Sequence, residues 1–80
     1  MARITVIFFS YVADRMKART REFTVPAATS VNAFFDQVLA PTLREPIHHF
    51  LFSVNAEWVD PGYELQDGDQ LAVIPPVSGG

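Results

Sequence analysis

The sequence predicts an α+β fold: a mixed sheet with one main helix packed on one face and an extended C-terminal tail. Three observations carry this. Short β-branched and aromatic runs recur near residues 4–9, 21–25, 50–54 and 71–74. Between the second and third of them, Val31, Phe34, Phe35, Val38 and Leu39 fall at i, i+3, i+4, i+7 and i+8, one apolar stripe of a helix. The last seven residues run Ile74-Pro75-Pro76-Val77-Ser78-Gly79-Gly80, from a hydrophobic strand through two prolines into two glycines.

In the first run, Ile4, Val6 and Phe8 share one face, and Thr5, Ile7 and Phe9 the other. Both faces are largely apolar, which predicts a central strand partly covered on both sides. Residues 10–19 carry charge without strand alternation and read as a loop, with a short helical turn around Val12 to Lys17. Asp14, Arg15 and Lys17 read as a solvated face, and Arg3, Arg19 and Arg21 as surface partners for acids across the hairpin. Phe23 and Val25 face inward on a second strand that Pro26 ends.

Thr29 or Ser30 is placed to cap the helix, and Pro41 to stop or break it. A connector follows, with a helical turn around Leu43. Phe50 to Val54 forms a third strand, Asn55-Ala56-Glu57 a tight turn with Asn55 as its left-handed residue, and Trp58-Val59 a short return strand. Asp60-Pro61-Gly62 and Asp67-Gly68-Asp69 are further turns before the final strand, Leu71 to Ile74. The helix supplies a crossover, so the last strand pairs in parallel beside the first. This is the ubiquitin-like β-grasp order, assigned to residues 1–75, with 76–80 as the Gly-Gly tail.

Eighty residues make one small domain, which buries only about 60–65% of its unfolded surface and has no room for a deep internal active site. The net charge of −3 argues against a nucleic-acid footprint. With no cysteine there is no disulfide, thiol nucleophile or cysteine-based metal site. No apolar run approaches a membrane span, and the start lacks a secretory pattern, so a soluble cytoplasmic protein is expected. His48 and His49 are neighbours that an extended segment would point apart, so no metal site is assigned to them. Asp67 and Asp69 read as turn chemistry, since a lone D-G-D lacks the other ligands of a calcium loop.

The tail carries the chemistry. Pro75 and Pro76 lack amide donors, so the sheet must end near Ile74 and the chain stays extended beyond it. From Pro75 onward the reach is roughly 20 Å. Gly79 and Gly80 have no Cβ, so this backbone passes through slots too narrow for other residues. The tip is an α-carboxylate with an ordinary pKa of about 3.5. We read that carboxylate as the functional group.

Val6 to Phe9, Val54-Asn55-Ala56-Glu57-Trp58-Val59, Leu65-Gln66-Asp67-Gly68-Asp69 and Ile74-Pro75-Pro76-Val77-Ser78-Gly79-Gly80 together resemble the β-grasp sulfur carriers, and among them the small subunit of molybdopterin synthase. The resemblance covers essentially the whole chain. It departs in the turn, where the family often has V-N-G and this chain has Val54-Asn55-Ala56, and after the first strand, where an Arg-Glu pair is displaced to Asp14 and Arg15.

The resemblance implies that a ubiquitin-activating-like adenylyltransferase uses ATP to adenylate the Gly80 carboxylate. A sulfur donor enzyme then converts it to a thiocarboxylate. The large synthase subunit takes the tail, and sulfur passes to cyclic pyranopterin monophosphate to form the molybdopterin dithiolene. The chain is then a sulfur-donating subunit, not a catalyst by itself, and binds no cofactor of its own. Gly79 accompanies Gly80 at the reacting end. Phe9, Trp58, Ile74, Pro75, Pro76, Val77 and Ser78 are the implied partner contacts. Three alternatives stay open: a thiamine-type sulfur carrier, a ubiquitin-like protein modifier, and a binding module with an inert tail.

Overall fold

A computed structural model describes residues 1–76. The elements run β1 (Ala2–Phe8), α1 (Ser10–Met16), β2 (Thr20–Val25), α2 (Val31–Phe34), a π turn (Phe35–Leu39), α3 (Ala40–Leu43), a 3₁₀ turn (Ile47–His49), β3 (Leu51–Val54), β4 (Glu57–Val59) and β5 (Gln70–Ile74). Among the described residues the five strands form one sheet in the order β2-β1-β5-β3-β4. β1 is an interior strand, flanked by β2 and β5. It pairs antiparallel with β2, Ile4 opposite Phe23, and parallel with β5, Phe8 beside Val73. β5 pairs antiparallel with β3, and β3 with β4.

The helical side of the sheet holds the core. Ile4, Val6 and Phe8 of β1, Phe52 and Val54 of β3, and Leu71 and Val73 of β5 are buried against Val31, Phe34, Phe35, Leu39 and Leu43. Aromatic rings lock the helix to the sheet: Phe34 meets Phe23 edge-on at 5.1 Å, and Phe35 meets Phe52 edge-on at 6.2 Å.

Ser30 is the cap, with the Ala33 amide donating to its Oγ at 3.0 Å. Pro41 does not end the helix. In a regular α-helix its ring would collide with the carbonyl four residues back. Here the preceding turn widens, so the Ala40 amide donates to the Phe35 carbonyl, five residues back. The helix then continues to Leu43 and closes on Arg44 in the left-handed region, φ 56°.

Residues 10–16 form a full helix rather than a loop. Val12 and Met16, four apart, bury one stripe of α1, and the charged residues between them occupy the outer side. Arg21 does not pair with an acid; its Nη2 donates to the Met16 carbonyl at 3.1 Å.

The β3–β4 turn has two left-handed residues, Asn55 at φ 52° and Ala56 at φ 71°, where one was expected. A two-residue hairpin loop whose twist matches its strands requires positive φ at both positions. Asp69 is more than a turn residue. It is buried and accepts from Asn55 Nδ2 at 3.0 Å, Tyr63 Oη at 3.0 Å and the Gln66 amide at 2.8 Å. Tyr63 is thereby pushed above the ordinary tyrosine range, mainly by donating to Asp69 and then by burial. Gly68, at φ 88°, donates its amide to the Arg3 carbonyl at 2.8 Å, and Asp67 Oδ1 accepts from the Arg3 amide at 2.8 Å. The D-G-D loop thus fastens the entry of β5 to β1. No helix among the described residues is long and apolar enough to cross a membrane.

Candidate functional site

Helices cover one face of the sheet. The registers define what the other face carries. One row crosses all five strands: Trp58 opposite Ser53, Ser53 opposite Ala72, Ala72 beside Ile7, and Ile7 opposite Thr20. The next row pairs Leu51 with Ile74. Alternation puts Phe9 on the same side as Ile7, and the β1–β5 register carried one step beyond Phe8 and Val73 sets it next to Ile74. Ser53 and Ala72 are the small residues of the row that crosses all five strands.

Trp58 is 69% exposed, Leu51 58% and Phe9 45%, while Ile74 is half-buried. Scattered apolar residues on a surface are ordinary, but contiguous ones mark contact sites. Phe9 and Ile74 therefore adjoin, and Trp58 stands one row away across β3. Leu51 was missing from the sequence-based set. Its signal was present in Phe50-Leu51-Phe52, where strand alternation turns the middle residue away from its buried neighbours. An apolar recess of about 410 Å³ continues this surface past the β4 edge, between Ile47, Phe50, Leu51, Trp58 and Pro61.

β5 ends at Ile74, where the prolines required it to end. Pro75 is buried and Pro76 exposed. The open face and the root of the tail meet at Ile74. Val77, Ser78, Gly79 and Gly80 lie outside the described residues.

A polar group centres on Glu45. Glu45 Oε1 accepts from Tyr11 Oη at 3.1 Å and lies 3.1 Å from His49 Nδ1; its Oε2 accepts from Arg15 Nη1 at 3.1 Å. These contacts hold the Glu45 carboxyl below the usual glutamate range, the His49 bond first among the causes and partial burial opposing it. Tyr11 is pushed up, by burial and then by its bond to Glu45. Arg15 is thus engaged within the fold rather than simply solvated. His48 and His49 do not point apart, because the segment is a 3₁₀ turn and not extended; their rings meet edge-on at 4.9 Å. Among the described residues no three His, Cys, Asp or Glu side chains converge as metal ligands.

The chain resembles proteins of known kind over its full length. It is 29% identical over 85 residues to the human molybdopterin synthase sulfur carrier subunit, covering 100% of this chain and 97% of that one. It is 30% identical over 84 residues to the molybdopterin synthase sulfur carrier subunit of Caenorhabditis briggsae, covering 100% of both. The crystal structure of small archaeal modifier protein 1 from Haloferax volcanii superposes with a TM-score of 0.84 at 25% identity, over 96% of this chain and 100% of that one. The profile of the ThiS family matches residues 6–80, and the chain therefore belongs to that family.

Proposed function

We propose that this protein is the sulfur carrier subunit of molybdopterin synthase. The observation that carries the reading is the junction at Ile74, where an exposed apolar sheet face runs directly into a Pro-Pro-led tail ending in Gly79-Gly80. The two molybdopterin synthase sulfur carrier subunits to which it is similar support the same role.

The chemistry follows from the terminal group. A carboxylate is a poor electrophile. Attack of its oxygen on the α-phosphorus of ATP expels pyrophosphate and makes an acyl-adenylate. Sulfur delivered at the sulfide level then attacks the acyl carbon, and AMP leaves with the C–O electron pair. The product thiocarboxylate is a sulfur nucleophile that needs no cysteine, and this chain has none. An adenylyltransferase binds the ATP, a donor enzyme brings the sulfur, and the large synthase subunit receives the loaded tail. The carrier itself contributes the apolar face for docking and the glycine backbone for threading. All these partners meet it in the cytoplasm.

Intact-mass spectrometry of the full chain, after incubation with ATP, an activating enzyme and a sulfur donor, tests the reading. A gain equal to one oxygen-for-sulfur exchange, mapped to Gly80, is expected. Product formation on adding the large subunit and pterin precursor then identifies the molybdenum pathway over a thiamine-type one. Similarity to an archaeal modifier protein favours one second reading, attachment of the tail to target lysines. Higher-mass conjugates without stable sulfur loading would establish it instead.

A further inference from the structure

Glu45 joins elements that nothing else in the sheet ladder joins. Tyr11 and Arg15 stand one turn apart on α1, and His49 closes the 3₁₀ turn. All three reach the Glu45 carboxylate at 3.1 Å. Arg15 Nη1 also donates to the Leu43 carbonyl at 3.0 Å, at the end of α3, and its guanidinium lies 5.0 Å from the centre of the Tyr11 ring. Both carboxylate oxygens are thus engaged: Oε1 bridges the seam between Tyr11 of α1 and His49 of the 3₁₀ turn, and Oε2 takes Arg15 of α1.

That seam flanks the root of the tail. β5 lies between β1 and β3, with Val73 beside Phe8 and Ile74 opposite Leu51. One step further, β1 has passed through Phe9 into α1 at Ser10, and β3 is entered from the 3₁₀ turn through Phe50. Carrying the two registers forward sets Pro75 between these segments, and Pro75 is buried while Pro76 is exposed. The start of α1 and the end of the 3₁₀ turn are therefore the walls of the exit.

Neither wall is held firmly by its own backbone. α1 is seven residues long and is bounded by Ser10 at φ 55° and Lys17 at φ 58°, left-handed positions that cost a non-glycine residue roughly 1–2 kcal/mol each. The 3₁₀ turn is three residues long. Short elements flanked by unfavourable backbone depend on side-chain contacts to stay in place.

We propose that Glu45 is a positioning residue for tail delivery: by tying Tyr11 and Arg15 of α1 to His49 of the 3₁₀ turn, it fixes the exit through which Pro75 leads the C-terminal carboxylate out. The inference rests on the reading that this carboxylate is the activated group. A loosened exit lets Pro75 and Pro76 take up more orientations. The fraction aimed for capture falls, and the apparent affinity falls with it.

The test is Glu45→Ala in the full chain, assayed by pyrophosphate release from an ATP-dependent adenylating enzyme across carrier concentrations. KM rises about fivefold with kcat unchanged, because only the competent fraction of free carrier changes. Glu45→Asp, which keeps the charge, recovers part of the loss. A second readout needs no enzyme: ¹⁵N relaxation of the Ser10, Phe50 and Ile74 amides shows reduced order in Glu45→Ala. Unchanged KM together with unchanged amide order in a folded variant overturns the proposal. So does a fall in kcat with KM unchanged, which would put Glu45 in the reacting complex rather than at the root. Should Glu45→Ala fail to fold, His49→Gln removes one wall's contact and is read in the same way. Should the wild-type chain release no pyrophosphate, the sulfur-carrier reading fails, and the amide order alone decides the role of Glu45.

Discussion

Leu51 and Ile74 face each other directly across the antiparallel β3–β5 pair, on the side of the sheet that no helix covers. Leu51 is 58% exposed and stands beside the last residue of β5 before the two prolines. On the proposed function, a partner that takes the tail docks against this pair. Truncation of a central apolar anchor typically costs an interface about 2 kcal/mol or more. Leu51→Ala and Trp58→Ala are therefore expected to weaken binding to the large synthase subunit at least roughly tenfold each, with unfolding midpoints close to wild type. Calorimetric titration checks the first half and thermal unfolding the second. Full affinity in both variants would remove the open face from the docking surface.

On the proposed function, the tail glycines matter for threading rather than for stability. Gly79→Ala and Gly80→Ala are expected to leave the unfolding midpoint unchanged, since they lie beyond the strand that ends the sheet. Each adds a Cβ where, on the proposed function, the backbone threads an active site, so adenylation or sulfur transfer is expected to fall. Normal turnover in both variants sinks the threading argument.

Asp69 is the polar pin of the fold. Its carboxylate serves Asn55, Tyr63 and the Gln66 amide in a buried position. Asp69→Ala leaves those donors without their acceptor, at a cost of about 3 kcal/mol. In a domain this small that lowers the melting temperature by roughly 12 °C or more. A loss under about 1 kcal/mol in denaturant unfolding would mean water replaces the carboxylate.

Ala56 occupies a left-handed position, φ 71°, with a Cβ that disfavours it. Ala56→Gly makes the turn Asn-Gly, the residue pair this hairpin geometry prefers. The expected gain is about 1 kcal/mol, less the added freedom of the unfolded chain, read as a higher midpoint in urea.

Glu45 ties stability to acidity. Its folded pKa is depressed, so it favours the folded state above the unfolded-state value and loses that contribution as pH falls through the folded one. The gap in melting temperature between wild type and Glu45→Gln is accordingly largest near neutrality and closes below the ordinary glutamate range. A gap independent of pH from neutral to strongly acidic would show that the charge of Glu45 contributes nothing.

Much of this architecture was legible in residue order. The 3.6-residue stripe from Val31 to Leu39 located the main helix, because one apolar face has to be buried. Pro75-Pro76 marked the end of the sheet, because proline has no amide to pair. The helical crossover required a parallel β1–β5 pair.

What escaped was decided by contacts distant in sequence. Pro41 looked like a helix stop, yet burial of Leu43 beyond it outweighs the local penalty once the turn widens. Arg15 looked solvated because Glu45, thirty residues beyond it, is invisible to local pattern. Asp69 looked like turn chemistry because its partners come from the hairpin at Asn55 and from Tyr63. Local propensity and proline chemistry act within a few residues, so the sequence alone determined the elements, their order and the tail. Which exposed apolar residues share a face, and which charged side chains tie the tail's exit together, depend on strand register and helix docking, and those were decided only by the tertiary structure.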